Sequence, residues 1–403
     1  MMKKEKPLVI VVSRNYSTGL GVIRALGAAG YTVDLIASTK KKGSSIIASS
    51  SKYIRNSVEV LSPKIQGDSG KGILKELMKY SGREEKPVVF SVDDFTTTVI
   101  DNYREELERH FILPGISEGK NGDLVRFMNK TVQSMLAASS GLNIPLECVI
   151  KLSEAIQVPD DIVYPCFVKP LFSAEGRKDE MAVCGNKSEL QEQLRKMQDF
   201  YADREVLIQE FLHIDKEYDL SGVCLDQEII IPALIEKTHI AKHERGVTMA
   251  GRLVDFSEIG DAAVKITEML RKVHYTGMFD MEFNLCGNKL YFNEINFRSG
   301  GPNYAYYLNG VNLPEIFVRW VTENRFDKND TFIDSYGKSF VYEKVAWEDY
   351  MNGYMTKSEM KECIDNADFT LLADNSDPAP GKWFFKRIRL SAMKHKLKRL
   401  LRK

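Results

Sequence analysis

The stretch Gly277–Tyr304, GMFDMEFNLCGNKLYFNEINFRSGGPNY, decides how the rest of the chain is read. It predicts two strands, Met278–Leu285 and Lys289–Ile295, joined by a turn at Cys286-Gly287-Asn288. Glu282 lies in the first strand. Glu294 and Asn296 close the second, two residues apart and therefore on one face. Hard oxygen donors in this pattern suit Mg²⁺, or Mn²⁺ in its place, with water and phosphate oxygens filling the remaining positions. Arg298 and Gly300-Gly301 follow, a cation and a glycine pair that lets backbone approach a ligand closely. The alternative is a surface hairpin with solvated polar side chains; three donor residues, the arginine and the glycines together weigh against it.

Working outward, the chain has 403 residues, enough for two or three domains with cores of their own. Lys plus Arg and Asp plus Glu both total 56, yet Lys382–Lys403 holds ten basic residues and no acid. The body is thus mildly acidic and the tail strongly basic, which argues against general nucleic-acid binding by the body. Cys148, Cys166, Cys184, Cys224, Cys286 and Cys363 show no C-x-x-C spacing, as expected for reduced thiols of a cytoplasmic protein. The apolar run after the N-terminus stops at Arg14, long enough for a strand and too short for a signal segment. No run of about 18 apolar residues occurs, so no membrane span is expected.

Leu8–Ser13 is a near-continuous β-branched run, the pattern of a strand buried on both faces. A helix through Val22, Ile23, Leu26 and Ala29 stops at Gly30, and strands follow at Thr32–Ala37, within Ser51–Val60 and at Val88–Ser91. Asp94 is read as the cap of the next helix. Alternating β and α predict a doubly wound sheet over residues 1–120. Its first turn is not G-x-G-x-x-G, so a dinucleotide site is weakly supported; a structural βα turn is the better reading, and if the turn binds anything a small acidic substrate near Ser17–Gly21 is favoured.

Gly122–Gly141 reads as one helix with Lys130 in its first half. Cys166–Lys169 is a strand ending on Lys169, followed by the loop Ser173-Ala174-Glu175-Gly176-Arg177-Lys178 and a strand at Met181–Cys184. A cation at a strand end with a cationic, glycine-containing loop above it provides fixed donors and a movable cover for phosphates; an ordinary exposed hairpin is the alternative. Strands are predicted at Val206–Gln209, Tyr218–Cys224 and Gln227–Leu234, a solvated loop at His239–Arg245, and helices at Ile259–His274 and Leu313–Trp320. Asn375–Gly381 reads as a linker. Beyond it Trp383, Phe384 and Phe385 stand beside basic residues, and Leu390, Met393, Leu397, Leu400 and Leu401 recur at helical spacing.

Over roughly residues 1–325 these motifs, in this order, resemble the ATP-grasp superfamily, and within it the carboxylate–amine ligases related to D-aspartate ligases and the carbamoyl-phosphate synthase large chain. The resemblance implies an α/β and α+β chain: a doubly wound domain at 1–120 and ATP-grasp subdomains at 121–212 (a lid) and 213–325; beyond its reach the sequence reads as an extension at 326–381 and a basic amphipathic tail at 382–403. It implies ATP and Mg²⁺ as cofactors. Lys130 and Lys169 resemble the phosphate-binding lysines, and Ser173, Gly176 and Arg177 belong to the covering loop. Glu210, Phe211 and Leu212 resemble the adenine hinge and Glu217 the ribose carboxylate. Glu282, Glu294 and Asn296 match the metal triad, and Arg298 the cation beside the transferred phosphoryl, with Lys169 its catalytic partner. Glu175 in the covering loop and Asp280, where some ligases carry arginine, depart from the pattern.

The implied activity is ATP-dependent amide formation through an acyl phosphate, on an amino acid or a cell-envelope precursor. A phosphotransferase acting on a hydroxyl, or a non-catalytic ATP-binding regulator, are the other readings. The expected location is cytoplasmic, with the basic tail and its aromatics able to hold an anionic membrane face; a solubilising tail is the alternative.

Overall fold

The computed structural model describes residues 5–14, 18–39, 47–61, 70–152, 156–171, 181–201, 204–244 and 246–388. The β-branched run forms β1 (Val9–Ser13), in which every residue is buried. With β2 (Val33–Thr39), β3 (Ile54–Leu61) and β4 (Val88–Ser91) it makes a parallel sheet in the order β3-β2-β1-β4. Helices α1 (Thr18–Ala28), α2 (Lys71–Met78) and α3 (Asp94–Asn102) alternate with these strands. The chain proceeds from β1 outward to β3 and then returns to β4 on the other side of β1. That reversal leaves a crevice beyond the carboxyl ends of β1 and β4. Asp93, not Asp94, caps α3: its carboxylate accepts from Thr96 N at 3.0 Å and from Arg14 N at 2.8 Å. One residue's shift frees the Asp94 side chain for another partner.

The single helix expected at 122–141 is broken. Asp123–Phe127 ends at Met128, and α4 (Lys130–Ser139) starts afresh because the Asn129 side chain accepts from Thr131 N and Val132 N. Lys130 thereby becomes the first residue of a helix. A small antiparallel sheet follows, with β5 (Glu147–Lys151), β6 (Cys166–Pro170), β7 (Ala182–Cys184) and β8 (Glu205–Glu210) in the order β5-β8-β6-β7. Its apolar face packs on Leu190, Leu194 and Met197 of the helix Lys187–Tyr201.

The large sheet runs β13-β12-β9-β10-β11, where β9 is Lys216–Leu225, β10 Leu234–Ile240, β11 Thr248–Val254, β12 Tyr275–Cys286 and β13 Lys289–Asn296. These neighbours are all antiparallel. The strand expected at Gln227–Leu234 is split: Glu228–Ile230 pairs back on β9, Pro232 lacks the N–H to continue, and β10 runs on through Ile240. Part of the expected 239–245 loop is therefore strand.

Alternation gives this sheet two unlike faces. Tyr218, Leu220, Phe279, Met281, Phe283, Phe292 and Ile295 cover one face and meet the helix Ala262–Val273. On the other, Val223, Ile235 and Met278 join the core shared with α1 and with the helix Leu313–Glu323. Further along the same strands that face turns polar, through Glu217, Asp219, Ser221, Lys237, Asp280 and Glu282.

Ser339–Val341 adds to β11, so the 326–381 extension is built into the sheet. The linker and tail expectations need correcting. Asp377 is fully buried in an ion pair with the equally buried Arg24 of α1, Nε to Oδ2 3.0 Å, and also accepts from Ser51 Oγ at 2.8 Å. Residues 379–388 form a helix across the expected 381/382 boundary. Phe384 and Ile388 are buried in the main core, with Trp383 and Phe385 packed against it, so these aromatics are not available to a membrane. The remaining tail, 389–403, lies outside the described residues. Among the described residues no helix is long and apolar enough to cross a membrane.

Candidate active site

Cross-strand register puts the polar face together. Asp219, Glu282 and Glu294 form one row across β9, β12 and β13; Ser221, Asp280 and Asn296 form the next. Between Glu282 and Phe283 the register shifts, so that their partners are Glu294 and Phe292 and Asn293 is the extra residue of a bulge. Asn293 Oδ1 lies 3.4 Å from Lys169 Nζ, at the end of β6.

Lysines from two other elements reach the two facing glutamates. Lys130 Nζ stands 3.0 Å from Glu294 Oε2. Gln133, one turn along α4, donates to Ile295 O at 2.8 Å and accepts from Ile295 N at 3.1 Å, which pins the helix to the strand carrying Glu294. Lys237, buried on β10, sits 2.9 Å from Asp219 Oδ1, 3.1 Å from Glu282 Oε2 and 3.5 Å from Glu217 Oε2. Thr248 Oγ1 donates to the other Asp219 oxygen at 2.7 Å.

Arg298 closes the opposite end. Its Nε donates to Asp94 Oδ1 at 2.9 Å, its Nη1 to Ser299 O at 3.2 Å, and Asp280 Oδ2 lies 3.8 Å away. Asp280 also accepts from Ser221 Oγ at 2.6 Å. The Gly300 backbone passes so close that a Cβ there would meet Asp280 Oδ1 at 2.0 Å; only glycine fits.

Charge is crowded here, and the acid–base equilibria shift accordingly. Burial pushes Glu282 up to about 8, against the pull of Lys237 and with the push of Asp219, Glu294 and Asp280. Burial and Asp219 push Asp280 up to about 7, against Arg298. Burial also works against ionised Glu294, but Lys130 and Lys169 overcome it and hold that carboxyl at about 2. Burial, then Lys130, lowers Lys169 to about 8. Burial opposes the charge on Lys237 as well; Asp219, Glu282 and Glu217 outweigh it and raise its pKa well above the ordinary value.

The donor set fits a divalent cation. Glu282 and Glu294 face each other directly, with Asn296 one position along, so two carboxylates and an amide share one patch of the sheet. Among the described residues no group of three or more His, Cys, Asp or Glu side chains is arranged to hold a metal unaided. Such a cation would thus draw further oxygens from a ligand.

At the proposed hinge, Glu210 N donates to Leu146 O at 2.8 Å, Glu210 Oε1 accepts from Leu146 N at 3.0 Å, and Phe211 N donates to Pro165 O at 2.9 Å. Those groups are spoken for; no described residue accepts from Leu212 N–H. Lys130, Lys169, Glu217, Glu282, Glu294, Asn296 and Arg298 converge on the polar face or its rim. Ser173, Gly176 and Arg177 lie outside the described residues. Sequence reading missed Lys237, Asp219 and Asn293, and took Asp94 for a cap. Lys237 was legible in principle: in LIEKTHI it shares the inward parity of Ile235, a position where a charge demands a buried partner.

Residues 129–301 match the family model described as the carbamoyl-phosphate synthase L chain, ATP binding domain. Over 170 residues the chain is 26% identical to the carbamoyl phosphate synthase large chain of Pseudomonas putida, covering 41% of this chain and 16% of that one. Over 284 residues it is 23% identical to a D-aspartate ligase of Enterococcus faecium, covering 64% and 63%. The chain thus spans under a fifth of the first two curated relatives it matches and less than two thirds of the D-aspartate ligase. Among solved structures, the L-amino acid ligase from Bacillus licheniformis superposes with a TM-score of 0.59 at 13% identity, over 81% of this chain and 77% of that one. The N5-carboxyaminoimidazole synthetase from Staphylococcus aureus complexed with ADP gives 0.61 at 15% identity, over 87% of each chain.

Proposed function

From the ATP-grasp fold that this chain shares with those structures, we propose that it is an ATP-dependent carboxylate–amine ligase using Mg²⁺ or Mn²⁺. The observation that carries the reading is the facing pair Glu282 and Glu294, with cations on every side: Lys237 and Lys130 on the pair itself, Lys169 and Arg298 at the ends. A triphosphate with its metal ion is the ligand whose alternating charges suit that row.

In this reading Glu282, Glu294 and Asn296 hold the metal, which when bound neutralises charge on the β and γ phosphate oxygens. Lys130 and Lys169 bind phosphate oxygens, turning from the site's own oxygens, Glu294 and Asn293, to the nucleotide. Leu212 N–H pairs with adenine beside Glu210 and Phe211, and Glu217 accepts from the ribose hydroxyls. Ser173, Gly176 and Arg177 of the Ser173–Lys178 stretch are assigned to the phosphates by the resemblance of their sequence alone. A carboxylate cannot be attacked directly by an amine because its leaving group would be oxide. Its oxygen therefore attacks the γ-phosphorus and ADP departs. The amine then adds to the acyl carbon, phosphate leaves and one proton is lost, giving the amide. Arg298, oriented by Asp94, stabilises the negative charge that grows on the transferred phosphoryl group. The D-aspartate ligase and L-amino acid ligase among the similar proteins make an amino acid the first substrate to try.

The test is a phosphate-release screen of carboxylates crossed with amines, amino acids and amino sugars included. Release should require both partners, and hydroxylamine should trap the acyl group. Glu294→Gln should lose about 10²- to 10³-fold in turnover while keeping its fold. ATP consumption with phosphate passed to an alcohol, or no heat of binding with ATP and Mg²⁺, would overturn the assignment.

A further inference from the structure

Arg14 is the first residue past β1, and Asp93 and Asp94 are the first polar residues past β4, so all three stand at the crevice where the strand order reverses. Arg14 is half-buried, and its guanidinium lies over the Phe95 ring, 4.8 Å from the centroid. Neither neighbouring acid is available to it. Asp93 spends its carboxylate on the backbone N–H groups of Thr96 and of Arg14 itself. Asp94 is engaged by Arg298. No described carboxylate pairs with the Arg14 side chain, and its guanidinium is held over an aromatic ring, so a half-buried cation stands at this end of β1 without an anion among the described residues.

Asp94 and Phe95 are consecutive residues in the first turn of α3, and their partners are Arg298 and Arg14 respectively. The cation assigned to the reacting phosphoryl group and the one without a described anion therefore flank the same turn. We propose that Arg14 binds a second anionic group on the acid substrate, the one that is not activated, so that the preferred acid carries two negative groups. This deepens the ligase reading and rests on it for the identity of the reacting end. The fork of a guanidinium suits either a carboxylate or a phosphate as that second group. The sequence reading prefers a structural turn at Ser17–Gly21, with a small acidic substrate there only if it binds anything; Ser17 lies outside the described residues, and Arg14 supplies a charge at the same end of β1.

The experiment is calorimetric titration of the full chain with serine, aspartate and O-phosphoserine, and with propionate and succinate. Each is run alone and with Mg²⁺ and a non-hydrolysable ATP analogue. Aspartate and succinate, or O-phosphoserine, should bind tighter than the molecules lacking the second anion, and which does so distinguishes carboxylate from phosphate. Arg14→Met should weaken that binding about 10- to 100-fold without changing the affinity for the ATP analogue, and Arg14→Lys should restore only part of it. Thermal unfolding of each variant checks its fold. No preference for dianionic acids, or equal affinity in folded Arg14→Met, overturns the proposal. Binding of the ATP analogue, read in the same titrations, reports separately on the ligase assignment.

Discussion

Arg298 Nε lies 2.9 Å from Asp94 Oδ1, and this ion pair ties the loop after β13 of the large sheet to the first turn of α3, just past β4 of the parallel sheet. Burial would lower the Arg298 pKa; Asp94 and then Asp280 more than offset that, so its charge is secure. Its direction depends on Asp94.

If Asp94 positions Arg298, Asp94→Asn should lower kcat by about 10²-fold, the scale of a misplacement of about 1 Å at a reacting centre. The KM for ATP should barely move. Steady-state kinetics decide it, and a change in KM alone would assign Asp94 to substrate binding instead.

Lys237 is the only cation within 4 Å of Asp219 or Glu282 among the described residues. Lys237→Met leaves both uncompensated and should cost about 3–5 kcal/mol in urea unfolding. With the pull of the lysine gone, Glu282, already raised by burial, takes up a proton more readily. The loss should therefore be largest above neutral pH and shrink as pH falls. A pH-independent loss would point to packing rather than charge.

Lys169 is held down to about 8 by burial and by Lys130. A triphosphate reverses that, so the bound state has the higher pKa. Nucleotide binding in EDTA should take up a proton near about pH 8.5, and affinity should fall as pH rises through that range. Titrations in buffers of different ionisation heat measure the uptake; persistence in Lys169→Met would exclude this lysine as its source.

Asp377 and Arg24 are both buried in one ion pair. Asp377→Ala strands the arginine and should destabilise the protein by about 3–5 kcal/mol. Phosphate release per folded molecule should stay unchanged, because the pair joins the extension to α1 and not to the polar face. Denaturant unfolding and activity on the same samples separate the two.

Much of this molecule was legible in one dimension. The unbroken β-branched run of Val9–Ser13 can be satisfied only by a strand covered on both sides. The two-residue parity of Glu294 and Asn296 already set them on one face. Other features were not. Asn129 splitting a helix, and Asp93 in place of Asp94 as a cap, are choices among adjacent residues of similar propensity. The amphipathic look of Trp383–Phe385 was real, but periodicity does not say whether an apolar face meets lipid or the protein's own core.

What the order of residues determined by itself was local: which segments are strands, which side chains share a face, and which cations end which strands. Only the folded chain could decide that Lys237 meets Glu282 across two strands, that Arg298 reaches Asp94 more than two hundred residues earlier, and that Arg14 has no acid beside it among the described residues. Backbone periodicity acts within a few residues, whereas the pairing of buried charges is settled by which distant segments the core brings together.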